Sequence, residues 1–129
     1  MDYKAGQCWR YDAPEGFEGS RLVIGAIASF SGDTRIICCG VLDAPERQDD
    51  GRVLAVTIPF LPLTEAAFAA SITTLDDICE AAVPDGFAQA LEHWRHDPRG
   101  LTCFTVAFDG SLDRLIARQM AAIVGTDAA

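Results

Sequence analysis

His93 and His96 are the two histidines of the chain, and three residues apart on a helix is a spacing that metal ligands sometimes use. Their helix argues for a plainer role. Counted at about 100° per residue from Phe87, both lie opposite the stripe Phe87, Ala90, Leu91 and Trp94, beside Gln89 and Glu92. They read as solvated side chains near a helix C-terminus, where partial negative charge favours them. The carboxylates Asp43, Glu46, Asp49 and Asp50 crowd one loop without the alternating ligands and closing glutamate of a calcium site. Asp76, Asp77 and Glu80 form a second acidic group, and together the two groups form a patch suited to a basic partner.

Five cysteines, Cys8, Cys38, Cys39, Cys79 and Cys103, are an odd number with no paired C-x-x-C spacing. They read as small buried hydrophobes, with adjacent Cys38 and Cys39 on opposite faces of a strand. No Gly-x-Ser-x-Gly elbow is present, and GAIASFSG (25 to 32) lacks the Lys-Ser/Thr ending of a phosphate loop. No catalytic residue, metal ligand set or cofactor is assigned.

The most patterned stretch is GQCWRY (6 to 11), which places Trp9 and Tyr11 two apart in a chain with two of each. On a strand, Gln7, Trp9 and Tyr11 share a face. They are either the lid of a core, with the indole N–H on a backbone carbonyl, or one wall of a groove completed by Glu15, Glu18, Ser20 and Arg21. The groove is the candidate binding site.

The elements that must position these residues follow from periodicity. RLVIGAIASF (21 to 30) and TRIICCGVL (34 to 42) flank Ser31-Gly32-Asp33 as a hairpin, both apolar enough to lie centrally in a sheet. VLAVTIPF (53 to 60) sets Leu54, Val56, Ile58 and Phe60 on one face, and Pro59 ends it or puts that side at an edge. Thr64 caps a short helix to about Ser71. TTLDDICEAAVP (73 to 84) is less regular, with room for a helical turn. Asp85 caps a helix over 86 to 96, LTCFTVAFD (101 to 109) returns to strand alternation, and Ser111 caps a last helix to 124, stopped by Gly125. The expected architecture is one α+β domain over residues 1 to 129, with a curled antiparallel sheet or partial barrel of about five strands and late helices.

Composition sets limits on function. Half of the residues are hydrophobic, which suits a chain that folds unaided. A net charge of −9 opposes polyphosphate, and the ten basic residues form no run, so nucleic acid is not the expected partner. No apolar stretch approaches the ~20 residues of a membrane span, and the N-terminus lacks a signal-peptide pattern, so a cytoplasmic location is expected.

Gly6-Gln7-x-Trp9-x-Tyr11 followed by Pro14-Glu15-Gly16-x-Glu18-x-Ser20-Arg21 resembles the start of a small uncharacterised bacterial protein family, over about the first quarter of the chain. That resemblance implies no activity. A looser similarity is to the SH3-like barrels of bacterial toxins from toxin–antitoxin pairs, which open on a G-x-x-W-type strand and close on a C-terminal helix. Those that cleave RNA need a positive groove, which the charge here opposes. The expectation is a non-catalytic module acting through a protein partner, a basic one or a second copy. The competing expectations are a small ligand-binding or hydrolase-like barrel with a pocket at Trp9, and a toxin–antitoxin-related protein.

Overall fold

The computed structural model describes residues 3–30, 34–76, 82–97, 103–110 and 112–124. Five strands, β1 (Cys8–Tyr11), β2 (Arg21–Phe30), β3 (Thr34–Arg47), β4 (Val53–Thr64) and β5 (Ile72–Leu75), form one open antiparallel sheet in the order β4-β3-β2-β1-β5. The described residues also hold three helices: α1 (Glu65–Ser71), α2 (Phe87–Arg95) and α3 (Leu112–Val124). The α+β class and the antiparallel sheet are those expected. The β2–β3 hairpin pairs Arg21 with Leu42 at one end and Phe30 with Thr34 at the other.

Strand alternation divides the core into two layers. On one face Trp9, Tyr11, Leu22, Ile24, Ile37, Cys39, Val41, Leu61 and Leu63 pack under Phe68 of α1, Phe108 and Leu115 of α3. On the other, Ile36 and Cys38 pack under Phe87 and Trp94 of α2, with Phe60 beside them. Cys38 and Cys39 therefore do point to opposite faces. Two glycines make room for the α2 layer. A Cβ at Gly25 would lie 2.3 Å from the Phe87 ring, and one at Gly40 would lie 2.3 Å from Cδ of Pro84. The missing side chains let the helix segment lie directly on the backbone.

Several expected elements differ. β4 runs through Pro59 and Pro62 to Thr64, which an edge strand permits because one row of its amides needs no ladder partner. Its register shifts between Ile58↔Val41 and Leu61↔Cys39. That irregularity carries Phe60 to the face opposite Ile58, where it meets Phe87 and Trp94, so the expected single stripe Leu54–Val56–Ile58–Phe60 is broken. Ile72–Leu75, whose last three residues open the segment expected to be less regular with room for a helical turn, is a strand that pairs with β1. The expected strand over 101 to 109 is absent among the described residues, where Phe104 makes a single parallel bridge to Leu63. Thr64 caps α1 as expected, its hydroxyl accepting from Ala67 N–H at 3.2 Å. The N-cap of α2 is Gly86 at φ 91°, not Asp85. Ser111 and Gly125, expected at the ends of α3, lie outside the described residues.

β3 and β4 both outrun β2. Beyond Arg21↔Leu42 they continue as a two-stranded arm, from Ala44↔Val56 to Arg47↔Val53. Asp43 at the root of the arm has φ 56°, a left-handed conformation that aspartate tolerates better than most residues, and it lies within the register shift between Val41 and Ala44.

Candidate contact surface

The residues of the expected groove serve mostly to hold the fold. Trp9 is 5% exposed and makes edge-on ring contacts with Tyr3 at 5.8 Å and Phe68 at 6.4 Å. Its indole N–H donates to Oε1 of Gln7 at 3.2 Å, a side chain and not the expected backbone carbonyl. Tyr11 is buried against Phe108 and donates to Oγ of Ser20 at 2.8 Å, and Ser20 donates to the Leu42 carbonyl at 2.6 Å. This relay ties the loop after β1 to β3. Burial raises the Tyr11 pKa, its largest cause. Glu15 is exposed, and exposed Glu18 accepts from Gly16 N–H at 3.1 Å within its own loop. Hydrogen bonds from its own N–H and that of Gly16 lower the Glu18 pKa.

Arg21 belongs to a buried ion pair that composition gave no reason to expect. Its Nε lies 2.8 Å from Oδ2 of Asp76, and its Nη1 donates to the Glu18 and Ser20 carbonyls, each at 2.8 Å. Arg10 stands 3.7 Å from the same carboxylate. Asp76 N–H donates to the Cys8 carbonyl at 2.8 Å. The contacts at Asp76 fasten the end of β5 to β1 and β2, while the two Nη1 bonds hold Arg21 to the loop before it.

The histidines lie on the exposed side of α2, with His96 Nε2 3.0 Å from Glu92. Among the described residues no group of three or more His, Cys, Asp or Glu is placed to hold a metal ion.

Of the cysteines, Cys38, Cys39 and Cys103 are free thiols, whereas Cys8 is disulfide-bonded, which corrects its reading as a mere buried hydrophobe. Cys79 lies outside the described residues. Burial pushes the Cys38 thiol up to about 12 and raises Cys39 further, while Cys103 is raised by the same cause. A disulfide consumes two of the five cysteines, leaving three thiols. Non-reduced protein in denaturant should therefore titrate three thiols with Ellman's reagent, and reduced protein five. In native protein at pH 8, Cys38 and Cys39 should resist alkylation, since only the thiolate reacts. Five thiols without reduction would show that Cys8 is not bonded.

Apart from Leu75 on β5, 40% exposed, the large apolar side chains left exposed among the described residues lie on the arm and α3. Val53 is 44% and Leu54 46% exposed, and on α3 Ile116 is 41% and Met120 60% exposed. Leu112, Ile116 and Met120 recur every four residues and so form one stripe. Leu112 also lines an open cleft of about 280 Å³ with Pro45, Glu46, Val56, Thr57, Ile58 and Pro59. By strand alternation Leu54 shares the face of Val56 and Ile58, so arm, cleft and helix stripe join into one apolar strip. Its rim is acidic, with Glu46 in the cleft wall and Asp43 and Asp49 exposed nearby. A second open cleft, of about 450 Å³, lies between β2 and α2 and is lined by Ala26–Ser29, Leu91, Trp94 and Arg95. Neither cleft is lined by Trp9.

No protein-family model, curated protein or solved structure matches the chain. The strip was hidden from the sequence because Leu54, Ile116 and Met120 carry the same periodic signal as core residues. Only their exposure separates the two.

Proposed function

We propose that this chain is a non-catalytic module that acts through protein–protein contact, with the apolar strip of the β3–β4 arm and α3 as its contact face. The observation that carries this is three large apolar side chains along the strip, Leu54, Ile116 and Met120, each more than 40% exposed. Contiguous apolar surface with a polar rim is the usual mark of a contact site. The net charge of −9 favours a protein over a nucleic acid as the partner. No helix among the described residues is long and apolar enough to cross a membrane. The cytoplasmic location belongs to the same proposal, and the bonded Cys8 weighs against it, because disulfides persist in oxidising compartments.

The test compares wild type with the double variant Leu54→Asp/Ile116→Asp, each immobilised and exposed to a lysate of the source cell, and each sized in solution. Both substituted side chains are exposed, so the fold should survive. Wild type should retain a defined protein, itself included, and the double variant should lose it by at least about tenfold. If the two proteins retain the same set and have the same size, the strip is not a contact face.

A further inference from the structure

On that reading of the strip, we infer that its occupant is a second copy of this chain, joined by antiparallel pairing of the two β4 edges about a two-fold axis through Ala55. The phase of the ladder comes first. Gln48 N–H donates to the Arg52 carbonyl at 2.7 Å at the arm's tip. Bonded pairs alternate along an antiparallel ladder, so Glu46↔Leu54 and Ala44↔Val56 are bonded inward. The amides and carbonyls of Val53, Ala55 and Thr57 then face outward. Among the described residues no backbone hydrogen bond reaches them from another element.

Among the described residues, the chain covers its own β4 edge only further along. Phe104 N–H donates to the Pro62 carbonyl at 2.9 Å, and Thr64 N–H donates to the Phe104 carbonyl at 3.0 Å. The opposite edge of the sheet, β5, is only four residues long, and short edges resist pairing. From Val53 to Thr57 there is no charge and no proline, two of the devices that normally protect an edge, and the register is regular from Val53 to Val56, the shift at Asp43 falling opposite Thr57.

The edge is also complementary to itself. A two-fold axis through Ala55 sets Ala55 opposite Ala55 and Val53 opposite Thr57, so outward rows meet outward rows and every outward N–H finds a carbonyl. Pro59, which cannot donate, falls opposite Gly51 beyond the ladder and costs no bond. On one face Leu54 of each copy comes beside Val56 of the other, covering the most exposed large apolar side chain of the arm. No charged residue lies within the five paired positions, so the net charge of −9 is kept off the seam.

Sedimentation equilibrium of the full chain over the micromolar range tests this. Wild type should reach a dimer. Ala55→Pro removes two central, symmetry-related hydrogen bonds while leaving the bonds to β3 in place, and it should weaken dimerisation by at least about tenfold with an unchanged far-UV spectrum. Thr57→Lys, at an exposed side chain, gives a second disrupting variant should the proline fail to fold. Bonded antiparallel pairs hold their Cα atoms about 5.5 Å apart, within disulfide reach. Ala55→Cys should therefore cross-link as a dimer without reductant, above the wild-type background, whereas Leu75→Cys on the opposite edge should not. A wild type that stays monomeric, or an Ala55→Cys no faster to cross-link than Leu75→Cys, overturns the inference. If that monomer still retains another protein through Leu54 and Ile116, the contact module stands and only the second copy falls.

Discussion

Trp9→Ala should lower stability by about 3–5 kcal/mol, the range for truncating a large buried aromatic, read as a fall in the urea midpoint with little change in slope. The residue is 5% exposed and packs against both Tyr3 and Phe68, so truncation removes two ring contacts and opens a void beneath α1. Gln7 would also lose the indole N–H at its Oε1. A loss of less than about 1 kcal/mol would mean that the tryptophan contributes little to the core. Since domains of this size have about 5–15 kcal/mol in hand, the variant should also expose denatured protein at moderate temperature.

Asp76→Ala should cost about 3 kcal/mol, near the lower end for removing one member of a buried ion pair. The Asp76 side chain is 7% and that of Arg21 16% exposed, so Arg21 would be left covered and facing no carboxylate. Its bonds to the Glu18 and Ser20 carbonyls remain, which keeps the cost from rising higher. Arg10→Ala, at the half-exposed arginine 3.7 Å away, should cost under about 1 kcal/mol. Thermal unfolding of both variants separates the two roles. Equal losses would show that the carboxylate depends on Arg10 as much as on Arg21.

The strands legible in the sequence were those whose alternation met no conflicting signal. RLVIGAIASF maps onto β2 residue for residue, and Thr64 declared the start of α1 through its hydroxyl. Ile72–Leu75 escaped notice because four residues with two threonines and a following acidic run carry too short a pattern, and its pairing with β1 depends on chain far away. The segment around Phe104 alternates as a strand does, yet among the described residues it forms a single bridge, held by two backbone bonds to β4. For the site, the alternation that marks Trp9 and Tyr11 leaves core and groove open, and only their neighbours place them in the core. A strand face looks the same in sequence whether Phe68 or water lies above it. The Arg21–Asp76 pair, 55 positions apart, has no local signature at all.

The order in which these strands lie has a consequence for how the chain folds. β2, β3 and β4 are consecutive neighbours and can zip as a meander from two hairpins, whereas β5 follows β4 in sequence but lies at the far edge of the sheet, beside β1. The chain crosses the sheet through α1 to get there, so the β1–β5 ladder closes a long loop and must wait for the meander to form a surface. Contacts made late weigh on the escape from the native state and little on the approach to it. The Arg21–Asp76 clasp joins the first-formed strands to the last, which makes it a latch on the unfolding rate and places the protein's kinetic lifetime at the edge of the sheet opposite the β3–β4 arm.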